Sequence, residues 1–232
     1  MVKVLCVGDS LGLPRDGVTY ENTWFYKIKI KYPNYDFIYK FKRSLTSLDL
    51  VGKSKKDYLG DYSLYYRPDV VIVQVGICDC APRYINDTKP FWMGLKFLFR
   101  KLRMEGFFWY IIKKTFKRGA NSVYVPFNDF RNNIIGYVDI LKSLKAVKHI
   151  VFVKIGIPGA SPRKSSPNLL NNILRYNKVF DEMQQLYPGF VDVVDPLCVE
   201  DDKYYVDGYH TNSIGADLVY SQLSSKLGNY SL

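Results

Sequence analysis

"VLCVGDSLG", residues 4–12, is an apolar run that stops at Gly8-Asp9-Ser10. Apolar and β-branched side chains fill successive positions, as a strand covered on both faces requires. Four more runs share that character: "YDFIYKF" (35–41), "DVVIVQVG" (69–76), "HIVFVKIGIP" (149–158) and the shorter "FVDVVDP" (190–196). Helical patterns lie between them. "YENTWFYKIKIKYP" (20–33) ends at Pro33, and residues 127–147 place Phe130, Ile134, Val138, Leu141 and Leu144 on one stripe. Residues 167–188 run from Ser165-Ser166 to Pro188-Gly189, and 211–228 form another helical segment. Strands alternating with helices predict an α/β fold: a three-layer sandwich around a mostly parallel five-stranded sheet. Function gathers at the carboxyl ends of such strands, where Gly8-Asp9-Ser10, Gly76–Asp79 and Gly156–Gly159 all fall.

The 232 residues suit a single domain, and 47% hydrophobic with 24% charged residues is an ordinary globular balance. The N-terminal stretch has no apolar h-region, and no run of about 18 apolar residues occurs, so neither a signal peptide nor a spanning helix is expected. Cys6, Cys78, Cys80 and Cys198 make no disulfide framework, and the Cys78-x-Cys80 pair lacks a second cluster at metal-ligand spacing. No metal is expected, and a reduced, cytoplasmic protein is the default.

The net charge of +11 calls for an anionic partner. Most of it sits in one interruption of the alternation, residues 84–126. Between 89 and 118, nine Lys and Arg stand against Glu105 alone. Phe91, Leu95, Leu98 and Leu102 repeat at helical spacing, with Lys96, Arg100 and Arg103 on another face. A basic amphipathic helix carrying Trp92 and Trp109 fits an anionic membrane surface or a partner. A helical hairpin packed on its own domain fits the same pattern. Nucleic acid is not expected, because the cations alternate with large apolar groups and no binding module is present.

Of two histidines, His149 opens a strand at the amino edge of the sheet, a place for a solvated or capping ring. His210 sits in "YVDGYHTNSIGADL", three residues after Asp207. One turn can hold that carboxylate on the imidazole Nδ1, leaving Nε2 to take a proton from a serine. Asp-x-x-His is weak alone, and gains force from Ser10 at the end of a strand. Asp9 is expected to brace the loop.

"VGDS" (7–10), "PDVVIVQVGICD" (68–79) and "DGYHTNSIGA" (207–216) resemble, in order and spacing, the first, third and fifth blocks of the SGNH (GDSL-type) hydrolases. The resemblance spans the chain apart from 84–126. It implies a flavodoxin-like sandwich and hydrolysis of acyl esters, often acetyl groups on sugars, without metal or cofactor. It makes Ser10 the nucleophile, His210 the base, Asp207 its orienting acid, and Gly76 and Asp79 substrate-site residues. The oxyanion donors would come from Ser10, Ser44 and Cys78. Two departures stand out: Cys78 replaces the usual Asn, and Ser44, in "KRSLTS" (42–47), replaces the usual Gly. A thiol is a poor donor, and loss of one oxyanion donor costs about 2.7–4 kcal/mol.

Three functions follow. The first is an esterase acting on a carbohydrate or lipid-linked glycan at the inner membrane face. The others are an O-acyltransferase of polysaccharide biosynthesis and a non-catalytic glycan- or membrane-binding relative. "GASPRKSSPN" (159–168) is expected to line the pocket or form a solvated loop.

Overall fold

The computed structural model describes residues 1–53, 59–85, 89–116 and 122–230. Five strands, β1 (Lys3–Gly8), β2 (Asp36–Phe41), β3 (Val70–Gln74), β4 (His149–Val153) and β5 (Val191–Val194), form one sheet in the order β2-β1-β3-β4-β5. All four pairings are parallel, which is the flavodoxin-like order with its switch point beside β1. The expected three-layer α/β sandwich is therefore present.

The helices, in chain order, are α1 (Trp24–Lys31), α2 (Ser47–Leu50), α3 (Leu59–Tyr66), α4 (Ile77–Cys80), α5 (Pro90–Lys101), α6 (Glu105–Thr115), α7 (Phe127–Ser143), α8 (Ala160–Ser165), α9 (Leu169–Leu186) and α10 (Ser213–Gly228). Strand parity decides which helix covers which face. Val4, Cys6, Val70, Ile72, Val151 and Val153 pack against Trp24, Phe25 and Ile28 of α1 and Val219, Leu223 and Leu227 of α10. Their neighbours Leu5, Val7, Val71, Val73, Ile150 and Phe152 meet Phe130, Ile134 and Val138 of α7 and Ile173 and Phe180 of α9. Each central strand buries both faces, hence the continuous apolar runs.

Strands end where side chains take over the ladder. β4 stops at Val153, earlier than its apolar run, because buried Asn177 of α9 accepts from the Ile155 N–H (2.9 Å) and donates to the Ile155 carbonyl (2.8 Å). The first expected helix splits: residues 20–22 form a 3-10 turn, and Thr23 Oγ1 then caps α1 by accepting from the Tyr26 N–H (3.3 Å).

The interruption at 84–126 holds α5 and α6, which pair as a hairpin turned through Arg103 at φ +57°. Ile85, Phe108 and Ile112 are buried, with Trp92, Leu95, Phe99 and Trp109 packed around them, in a cluster separate from the two cores. Lys117 and Arg118, counted in its charge, lie outside the described residues. No described helix is long and apolar enough to cross a membrane.

Candidate active site

Gly8 must be a glycine for steric reasons. A Cβ there would lie 2.5 Å from Phe41 Cε1 and 2.8 Å from the Gln74 carbonyl oxygen. The chain beyond it turns sharply: Asp9 donates its N–H to the Gln74 carbonyl (3.0 Å), and its Oδ1 accepts from the Leu11 N–H (2.9 Å). That contact caps a 3-10 turn over Ser10–Gly12 and lifts Ser10 off the end of β1. Asp9 is wholly buried, braces the turn as expected, and contributes nothing to the cavity lining. Burial, opposed in part by the Leu11 N–H and joined by the charge of Asp79, pushes its carboxyl up to about 8.

The loop before α10 supplies the partner groups. Asp207 Oδ1 accepts from the backbone N–H groups of His210 (3.0 Å) and Tyr209 (3.4 Å), a turn that fixes carboxylate and ring together. Asp207 Oδ2 lies 2.7 Å from His210 Nδ1, and His210 Nε2 lies 3.1 Å from Ser10 Oγ. An ionised carboxylate only accepts, so Nδ1 donates and Nε2 is the acceptor left for the serine hydroxyl. Burial lowers the His210 pKa more than the hydrogen bond and charge of Asp207 raise it. Burial acts to raise the Asp207 carboxyl, but the hydrogen bonds and charge of His210 hold it below the usual range. A neutral imidazole thus faces a hydroxyl, backed by an anion.

Ser44 and Cys78 line the same cavity as Ser10. Ser44 has φ +59°, the left-handed region that favours glycine. The turn has kept the backbone a glycine would take, and its strain accompanies the side chain. Cys78 is buried, in the first turn of α4, which begins after Gly76 at φ +119°. Burial, and then the charges of Asp9 and Asp79, push the Cys78 thiol far up, so it stays protonated.

Gly76 and Asp79 are buried and do not line the cavity. Asp79 instead anchors the Ser44 loop: its Oδ1 accepts from the Ser47 N–H (2.8 Å) and hydroxyl (2.7 Å). Burial pushes the Asp79 carboxyl up to about 7 against those two bonds. Of the 159–168 segment, Ser161, Pro162, Ser165 and Ser166 reach the cavity. His149 stands at the amino edge, stacked on Tyr230 with ring centroids 3.9 Å apart.

The cavity measures about 690 Å³, within the range of small-molecule sites. Its wall includes two residues of the hairpin, Trp109 and Lys113. Of the residues expected on an outer membrane or partner surface, Arg100 and Arg103 are exposed. Lys96 is half-buried over the Trp109 ring (5.3 Å), while Trp92 and Trp109 turn inward. The hairpin's outward apolar side chains include Phe91, Met93, Phe97, Leu98, Phe107 and Tyr110. Arg15 was not singled out from sequence. Its guanidinium reaches the Ser10 carbonyl (3.5 Å) and lies 3.8 Å from Asp207. No sequence pattern marks it, because the contacts span β1 and the loop before α10.

No protein-family model and no curated protein matches the chain. Solved structures do. A lipase/acylhydrolase from Enterococcus faecalis superposes with a TM-score of 0.65 at 16% identity, covering 98% of this chain and 95% of that one. A member of the lipolytic G-D-S-L family from Veillonella parvula gives 0.63 at 8% identity, over 99% of this chain and 100% of that one. A carbohydrate esterase of family 3 from Talaromyces cellulolyticus gives 0.60 at 14% identity, over 98% and 96%. Together with the parallel sheet order, these likenesses show that this chain has the fold of the SGNH (GDSL-type) hydrolases.

Proposed function

We propose that this chain is a serine hydrolase of acyl esters, acetyl esters foremost, borne by a carbohydrate or a lipid-linked glycan. The observation that carries this reading is the hydrogen-bonded line Ser10 Oγ, His210 Nε2, His210 Nδ1, Asp207 Oδ2, at 3.1 and 2.7 Å, in the wall of the cavity. His210 takes the Ser10 proton as Oγ adds to the ester carbonyl, and Asp207 stabilises the resulting imidazolium. The imidazolium returns the proton to the departing alkoxide, leaving acyl-Ser10 and a free sugar hydroxyl. Water repeats the sequence, releasing the carboxylic acid and restoring Ser10. The backbone N–H groups of Ser10 and Ser44 and the thiol of Cys78 are the candidate oxyanion donors. Tyr84, Trp109, Tyr124 and Tyr209 lie in the wall, and aromatic side chains suit a sugar ring, in keeping with the carbohydrate esterase among the structural neighbours. The same hairpin that supplies Trp109 turns apolar and basic side chains outward, which favours work at an anionic membrane surface.

The test is a fluorophosphonate with intact-mass readout. One adduct on the unaltered protein, absent from Ser10→Ala, is expected. No adduct, or one that persists in the variant, would overturn the reading.

A further inference from the structure

Among the described residues four cations face the cavity, Arg15, Arg43, Arg83 and Lys113, and the sole carboxylate in its wall is Asp207. That carboxylate is committed to His210. Among the described residues no carboxylate pairs with Arg43, Arg83 or Lys113. The two inner guanidiniums are built in place. Arg83 lies over the Tyr124 ring (4.4 Å), and its backbone N–H is tied to the Ser122 carbonyl (2.6 Å). The Nε atoms of Arg15 and Arg83 are both shut off from solvent and have no hydrogen-bond partner among the described residues. Arg15 and Arg43 also repel: burial lowers the Arg15 pKa first, the charge of Asp207 opposes that, and the charge of Arg43 lowers it further. Arg43, Arg83 and Lys113, gathered in a concave wall with no counter-charge among the described residues, cost free energy that a bound anion offsets.

Resting on the esterase reading of this same site, we infer that the substrate is anionic: the sugar bearing the acyl ester also carries a carboxylate or a phosphate, held by Arg43, Arg83 and Lys113. Arginine's planar fork suits either oxyanion, and lysine adds a point charge from the hairpin side. The selectivity is for charge beside the ester, so the deacylated product is itself an acidic or phosphorylated sugar.

The test compares three matched ligands: a neutral O-acetyl hexose, its uronate and its 6-phosphate. Their dissociation constants are measured on the Ser10→Ala protein, where no turnover intervenes, and kcat/KM on the unaltered protein. At least one charged ligand is expected to bind about tenfold or more tighter than the neutral one, the worth of a single charge-assisted hydrogen bond. Which of the two it is identifies carboxylate or phosphate. Arg83→Gln should cut that ratio severalfold. Lys113→Gln, on the exposed side of α6, should do the same without disturbing a packed side chain. Equal or tighter binding of the neutral ligand overturns the inference. So does a charge preference that survives both substitutions. Charged ligands bound tightly by a protein that hydrolyses none of the three would count against the esterase reading while leaving the anion site standing.

Discussion

Cys78 and Ser44 sit where the resemblance places an Asn and a Gly, and the two substitutions act differently. At Ser44 the left-handed backbone is retained, so its N–H remains available to an oxyanion. At Cys78 the loss is in the side chain, since S–H is a weak donor and the thiol does not ionise. Cys78→Asn, a change of similar volume, should therefore raise kcat on acetyl esters by about tenfold or more, toward the ~100-fold worth of a full donor. Steady-state kinetics on one neutral ester decide it, and an unchanged or lower kcat would place the missing donor elsewhere. On the proposed mechanism His210 sets the acid limb. Its protonated form cannot accept from Ser10, and burial holds its pKa below the ordinary 6.5. The kcat/KM of the free enzyme should thus fall as pH drops through a value under 6.5 and stay flat through neutrality. A midpoint above 7 would contradict this burial-driven assignment.

At the scale of elements, the α5–α6 hairpin divides its side chains between two tasks. Its inner side closes on Ile85, Phe108 and Ile112 and reaches the cavity with Trp109 and Lys113. On its outer side Phe91 is 70% exposed, Phe97 68% and Tyr110 60%, with Arg100, Lys101 and Arg103 exposed among them. Each cation near an anionic bilayer contributes roughly 1 kcal/mol, and the rings can enter the interface. Sedimentation with phosphatidylserine-containing vesicles should bring the protein down at low salt, and phosphatidylcholine alone should not. Phe91→Ser with Phe97→Ser should weaken that binding severalfold. Equal binding to both vesicles, or to neither, would remove the membrane from the proposal. The helical period of residues 91–102 was legible in sequence. Which tryptophans turn inward was not, because that depends on how α6 folds back across α5.

Across the whole molecule, the sheet was legible because its central strands are buried on both faces and say so in unbroken apolar runs. The short helices were not. α2 has four residues, and the reciprocal Thr46–Asp49 capping box that starts it is a local signal. Its placement depends on Asp79, thirty-two residues away. The end of β4 was hidden for a like reason, since Asn177 comes from another helix. Of the candidate site, Ser10, Asp207 and His210 could be found because each lies in a block that reads as a unit. Arg15 and Trp109 could not, since they join the cavity through tertiary folding alone. Two hundred residues separate Ser10, just beyond the end of β1, from His210, in the loop before α10. On a ribosome adding about 5–20 residues per second, roughly 10–40 s pass between the making of one and of the other. Throughout that interval Ser10 is an ordinary alcohol, so a nascent chain is chemically silent toward the esters around it.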